Sequence, residues 1–117
     1  MGKPVVHFEI YGKDSGKLQK FYGDLFGWEI HADNPMNYGF VHTGAEGKGI
    51  DGGITQGERR VTIVIEVDDL QKYLDTVESM GGKTVRPITE IPGVVTYAEF
   101  GDPEGNVIGI VKADEGQ

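Results

Sequence analysis

Val5-Val6-His7-Phe8-Glu9-Ile10 is followed, after a turn around residues 12–16, by Leu18, Phe21, Tyr22, Leu25 and Phe26, and then by Gly27. The first run is short and rich in β-formers. The next five residues fall at i, i+3, i+4, i+7 and i+8, the apolar stripe of an amphipathic helix. Gly27 supplies the left-handed residue that ends a helix at little cost. The pattern then recurs. Val61-Thr62-Ile63-Val64-Ile65-Glu66-Val67 repeats the strand, Leu70, Tyr73, Leu74 and Val77 repeat the stripe, and Gly81-Gly82 repeats the stop. Thr62 lies 55 positions after His7 and Gly81 lies 54 after Gly27, so one deletion in the first strand–helix turn aligns the halves. Asp68 is the expected N-cap of the second helix, with Gln71 completing a capping box.

Each helix is followed by segments that read as strands. They are 28–32, 37–43 and 49–55 in the first half, and 83–87, 94–100 and 106–112 in the second. The joints carry turn chemistry: the breaker pairs Asn34-Pro35 and Pro92-Gly93, and Asp102-Pro103-Glu104-Gly105, a type I turn pattern. Residues 45–49 read as a hairpin tip, 56–60 as a polar linker and 113–117 as a frayed tail. The 117 residues thus read as a single α+β domain of two βαβββ modules in tandem, about 4–56 and about 60–112. Each half alone would be marginal in size. Both apolar stripes are expected in the core. A four-stranded sheet with one helix has one face uncovered. Two such sheets in tandem predict a curved, cupped mixed β-sheet with helices outside, and the cup is where a small ligand is expected.

Composition narrows the function classes. The net charge is −8, from 11 basic and 19 acidic side chains, with −2 on residues 1–57 and −6 on 58–117. Such a surface repels phosphate backbones and anionic membranes, so neither nucleic acid nor membrane is an expected partner. It favours cationic ligands at long range. There is no cysteine, which excludes disulfides, thiolate metal sites and cysteine nucleophiles. No aliphatic run approaches bilayer-spanning length, and residues 1–6 lack a signal-peptide core. A soluble cytoplasmic protein is expected. Neither a phosphate loop nor a nucleophile elbow is present.

Three motifs resemble the vicinal oxygen chelate superfamily of glyoxalases, bleomycin-resistance proteins, fosfomycin-resistance enzymes and extradiol dioxygenases. They are Phe21-Tyr22-Gly23-Asp24-Leu25-Phe26-Gly27-Trp28, Val67-Asp68-Asp69-Leu70 and Phe100-Gly101-Asp102-Pro103-Glu104-Gly105-Asn106. The resemblance spans His7 to Val111. It implies paired βαβββ modules and, in metal-dependent members, ligands from the first and fourth strands of each module, facing the cup. Carried over position by position, these fall on His7, Thr62, Gly109, and Gly52 or Gly53. Only His7 can coordinate an ion. A catalytic site usually supplies three protein ligands, so no cofactor is expected, and a divalent metal is disfavoured.

Strand alternation supplies the other candidates. His7 and Glu9 share a face and are expected in the cup, for ligand contact or proton transfer. Thr62, Val64 and Glu66 share the matching face, where burial would turn Glu66 into a base. Tyr38, Phe40 and His42 alternate along one strand; Val95, Tyr97 and Glu99 alternate along its counterpart. Tyr38, Phe40 and Tyr97 are expected as aromatic walls, and Gly109 as an opening in the floor. His7, His42 and Glu99 would form a displaced metal site if one exists. Trp28 is expected in the core, His31 at the surface, and Asp102 and Asn106 as turn formers. The leading expectation is a small-molecule-binding homodimer with an eroded metal site. The alternative is a glyoxalase-like lyase or isomerase, or a dioxygenase. It would be metal-free with His7 or Glu66 as base, or would use a displaced ion bound in part by His7.

Overall fold

The computed structural model describes residues 2–44 and 47–113. Ala45 and Glu46 of the expected hairpin tip, and residues 114–117 of the expected tail, lie outside the described residues. The elements are β1 (Val5–Gly12), α1 (Ser15–Phe26), β2 (Glu29–His31), β3 (Gly39–His42), β4 (Gly52–Gln56), β5 (Arg60–Val67), α2 (Leu70–Ser79), β6 (Lys83–Ile91), β7 (Val95–Gly101) and β8 (Val107–Lys112). The fold is α+β. Two compact units are present. One holds Val6–Thr62; the other holds the chain from Ile63 with the N-terminal residues up to Val5.

Both units use one topology. In the first, β1 runs parallel to β4, and β4–β3 and β3–β2 are antiparallel. In the second, β5 runs parallel to β8, and β8–β7 and β7–β6 are antiparallel. The duplicated βαβββ pattern read in the sequence is therefore present element for element.

The helix ends follow from local chemistry. The Asp14 side chain accepts from the Lys17 backbone N–H at 3.1 Å and caps α1. Gly27, at φ 73°, closes it with an N–H to the Gly23 carbonyl at 2.9 Å. The cap of α2 is Asp69, not Asp68. Asp69 is extended (φ −138°, ψ 96°) and its carboxylate accepts from the Lys72 N–H at 3.1 Å. Gln71 then lies one position too early for a capping box. Its side chain instead donates to Asp75 at 2.9 Å.

Three further expectations need correction. The strand expected to stop at Pro87 continues to Ile91. Among the described residues of its unit β6 pairs only with β7, and its register shifts between Arg86 and Thr89. An edge strand with an irregular ladder tolerates a proline that cannot donate. The strand expected from residue 37 begins at Gly39, which leaves Tyr38 on the preceding loop. The third correction concerns the cores. In the second unit Leu70 and Leu74 of α2 pack with Val67, Ala98 and Ile110, against Ile65, Tyr73 and Phe100. The α1 stripe is not its equal: no residue of α1 is buried, and Phe21, Leu25 and Phe26 are 56%, 58% and 58% exposed. Helical periodicity specifies which residues share a face, but not how much of that face a neighbour covers.

Beneath α1 the first unit packs an aromatic group instead. Trp28 stacks on Tyr22 at 5.6 Å and lies 5.3 Å from Phe26 and 5.7 Å from Phe8, ring centre to ring centre. Val41 and Ile54 are buried, and Gln19 of α1 donates to the Ile54 carbonyl at 2.9 Å. His31 is exposed beside Glu29. The Asp102 carboxylate accepts from the Glu104 and Asn106 backbones and the Asn106 amide, as a turn former does. No helix among the described residues is long and apolar enough to cross a membrane.

Candidate functional site

Strand alternation divides β1 between two environments. Phe8 faces the helix side, against Trp28. His7, Glu9 and Tyr11 take the opposite, open face. Gly53 of β4 stands beside Glu9 in the parallel ladder. The loop before β3 sends Tyr38 across it. Asn34 holds that loop: its side-chain oxygen accepts from the Met36 and Tyr38 N–H groups at 3.1 and 3.0 Å, and its amide donates to the Tyr38 carbonyl at 2.7 Å. Asn37 takes φ 52°, a left-handed conformation that asparagine adopts more readily than most residues. A Cβ on Gly53 would overlap the Tyr38 hydroxyl and ring. The missing side chain at 53 is thus the space that Tyr38 fills.

The result is a hydrogen-bonded chain on the open face. The Tyr11 hydroxyl donates to Glu9 Oε1 at 2.7 Å, and the Tyr38 hydroxyl donates to Glu9 Oε2 at 2.8 Å. His7 Nε2 lies 2.8 Å from the Tyr38 oxygen. Tyr38 has one proton and gives it to Glu9, so His7 must donate from Nε2. Nδ1 is then the unprotonated nitrogen of a neutral imidazole. Burial lowers the His7 pKa below its usual 6.5, against the opposing pull of the Glu9 and Asp51 carboxylates. Burial also pushes the Tyr11 phenol up to about 12 and Tyr38 higher still. Both tyrosines therefore stay protonated near neutral pH and act as donors. Phe40 extends the surface, its ring 4.8 Å from that of Tyr38. The Arg60 guanidinium caps the other end, 4.4 Å above the Tyr11 ring.

These residues do not fit a divalent ion. The one imidazole at a ligand position uses Nε2 on Tyr38, and the Gly53 position is filled by a phenol, a far weaker donor than a carboxylate or imidazole. No group of three or more metal-ligating side chains occurs among the described residues. The other two residues of the expected displaced site are engaged within their own units. The His42 Nδ1 lies 3.1 Å from Asp51 on an exposed hairpin. Glu99 sits in the other unit, 7% exposed, with the Arg86 guanidinium at 3.7 Å.

Apart from Thr62, which ends the first unit, the remaining candidates lie in the second unit. Ile65, Val67, Ala98, Phe100 and Ile110 face α2, so alternation places Val64, Glu66, Tyr97 and Gly109 on the opposite face of that sheet. Val64 is in register with Gly109, and its Cγ2 would lie 3.2 Å from a Cβ at 109. Valine therefore packs tightly beside this glycine, without filling its place as Tyr38 fills that of Gly53. Thr62 is buried. Glu66 is partly buried, and its backbone N–H donates to the Pro4 carbonyl at 3.0 Å.

The structure thus brings together His7, Glu9, Tyr38 and Phe40. It adds Tyr11, Arg60 and Asn34, which sequence reasoning passed over. For Tyr11 the signal was present: it continues the His7–Glu9 alternation, one step past the apparent end of the strand. Asn34 was legible only as a turn former.

The sequence profile described as "Glyoxalase/Bleomycin resistance protein/Dioxygenase superfamily" matches residues 5–110. A glyoxylase-like domain-containing protein of Didymella fabae is 31% identical over 114 residues, covering 87% of this chain and 88% of that protein. Among solved structures, a glyoxalase/bleomycin resistance protein/dioxygenase superfamily member from Vibrio splendidus 12B01 aligns with TM-score 0.66 at 18% identity, over 96% of this chain and 100% of that one. Methylmalonyl-CoA epimerase from Mycobacterium tuberculosis aligns with TM-score 0.69 at 14% identity, over 95% and 88%. Identities this low speak to the fold alone.

Proposed function

Because the chain belongs to the glyoxalase/bleomycin resistance protein/dioxygenase superfamily yet presents no metal-ligand set among the described residues, we propose that it binds a small organic molecule without a metal ion, on the open face carrying His7, Glu9, Tyr38 and Phe40. The observation behind this reading is the Tyr38 hydroxyl, which joins His7 and Glu9 over the bare Gly53 backbone. It ties up one nitrogen of the family's single surviving ligand and leaves the other, Nδ1, as an acceptor. The Tyr38 and Phe40 rings offer an apolar surface for the body of the ligand. The matching ligand carries a hydrogen-bond donor beside a flat or apolar body.

The same geometry favours a second reading, a metal-free lyase or isomerase. A neutral imidazole held by a phenol and a carboxylate is equipped to take a proton through Nδ1. Histidine holds the base position, while Tyr38 and Glu9 orient it and stabilise the cation it becomes.

Elemental analysis for Ni, Zn, Mn and Fe tests the metal-free premise. Sub-stoichiometric metal in both the wild type and His7→Ala is expected. Stoichiometric metal that disappears in His7→Ala would overturn it. A thermal-shift screen of small carbonyl and aromatic compounds tests the binding surface: stabilising hits should be lost in His7→Ala and Phe40→Ala. Hits unaffected by either change would move the ligand elsewhere. A homodimer belongs to this reading, supported by the end strands β2 and β6, whose outer edges have no strand partner among the described residues of their units and invite cover. Sedimentation at two protein concentrations tests it.

A further inference from the structure

The exposed side of α1 borders a groove of about 910 Å³ within the first unit, between the β1–α1 turn and residues 58–61. Its floor is apolar: Leu18, Phe21 and Tyr22 from α1, with Ile10 and Val61. Phe21 is 56% and Val61 73% exposed, so this is hydrophobic surface that water covers at a cost. Its rim is cationic. Lys13, Lys17, Arg59 and Arg60 all line it, four of the 11 basic residues in a chain of net charge −8. Two carboxylates stand among them, Asp14 and Glu58. Asp14 already caps the helix. Arg60 is stacked on Tyr11.

An apolar floor under an excess of positive charge is the reverse of what an acidic, soluble surface would place there by chance. We propose that this groove binds an organic anion: an aromatic or alkyl body lying on Phe21, Tyr22 and Val61, with a carboxylate, sulfonate or phosphate held by Lys17 and Arg59. The charge selects the occupant. A cationic ligand drawn to the overall field does not complement the rim, whereas a small organic anion matches both rim and floor; a second copy of this acidic chain is an outcome of the test. The groove reaches from the helix side to Tyr11 and Arg60, at the far end of the residues that carry the His7 face. Lys17, Arg59 and Phe21, on which the inference rests, are not part of that face, and the inference does not depend on what it binds.

Two fluorescent probes test it: 8-anilinonaphthalene-1-sulfonate, and the uncharged N-phenyl-1-naphthylamine with the same rings. The sulfonate should saturate one site. The double variant Lys17→Glu/Arg59→Glu should weaken it by about tenfold or more, since two charge-assisted contacts become repulsive, and should leave the uncharged probe within twofold. Phe21→Asn should weaken both. All three changes are at exposed side chains, and circular dichroism confirms folding. The milder Lys17→Gln/Arg59→Gln gives the same ordering if the charge reversal disturbs it. Unchanged sulfonate affinity in the double variants would overturn the proposal. So would a dimer that dissociates in the Phe21 variant and competes with the probe.

Discussion

Replacing Gly53 with alanine adds one methyl group, and the structure states what that methyl meets. It would occupy the position of the Tyr38 hydroxyl and the adjoining ring carbons. The β4 backbone beneath it is held in ladders with β1 and β3, so Tyr38 must leave. Its hydrogen bond to the Glu9 carboxylate is of the charge-assisted kind, worth about 1.5–3 kcal/mol, and its bond to His7 about 0.5–1.5 kcal/mol. Alanine returns about 0.5–1 kcal/mol by restricting the unfolded chain. Because the site is partly exposed, water replaces some of what is lost. The expected net destabilisation is in the lower part of the range, about 1–2 kcal/mol. At about 4 °C per kcal/mol for a domain of this size, Tm falls by about 4–8 °C. Urea unfolding of four proteins separates this from a generic strand effect: wild type, Gly53→Ala, Tyr38→Ala and the double variant. With the ring already gone, Gly53→Ala should cost nothing or stabilise slightly. A loss of the same size in both backgrounds would refute the account of this glycine.

Three more outcomes are expected. His7 should titrate below 6.5 in the folded protein. In the window between its folded value and 6.5 the unfolded chain binds more protons, so stability falls as pH drops through that window. Histidine resonances and urea midpoints from pH 5 to 7 check this, and a folded pKa at or above 6.5 contradicts it. Leu74→Ala, in α2 at 2% exposure, should cost about 2–5 kcal/mol. Leu25→Ala in α1, at 58% exposure, should stay near the ±0.5 kcal/mol of surface changes. Chemical denaturation compares the pair, and equal losses would mean that α1 is covered in solution. Asp69→Ala should cost about 1 kcal/mol as a lost cap, whereas Asp68→Ala should cost almost nothing. The reverse order would restore the capping box at Asp68.

The duplicated architecture was legible because period and punctuation are local properties. Leu18 to Phe26 and Leu70 to Val77 repeat at helical spacing, and each run ends at glycine. What failed was whatever depends on a neighbour. Asp68 and Asp69 are chemically equivalent caps, and only the backbone at 69 turns the right way. Leu25 and Leu74 read alike, yet one is buried and the other bare, because coverage is set by tertiary packing. In the site, alternation placed His7 with Glu9, and Tyr38 with Phe40. Their meeting depends on a loop geometry fixed by Asn34, which no periodicity reports. Gly52 or Gly53 was visible as a missing ligand. That a phenol fills the gap was not, because a glycine names the space it leaves but not its occupant.

The unequal burial of the two helices bears on how the molecule breathes. Subglobal opening is governed by local apolar contacts, and regions with few of them exchange amide hydrogens at lower free energy. The amides of α1 should therefore exchange before those of α2, although both helices descend from one repeated pattern. The half that carries His7 and Tyr38 is then the softer half, with more freedom to adjust than its twin. Duplication would have supplied two copies of one frame, of which one keeps the packing and the other is released to vary.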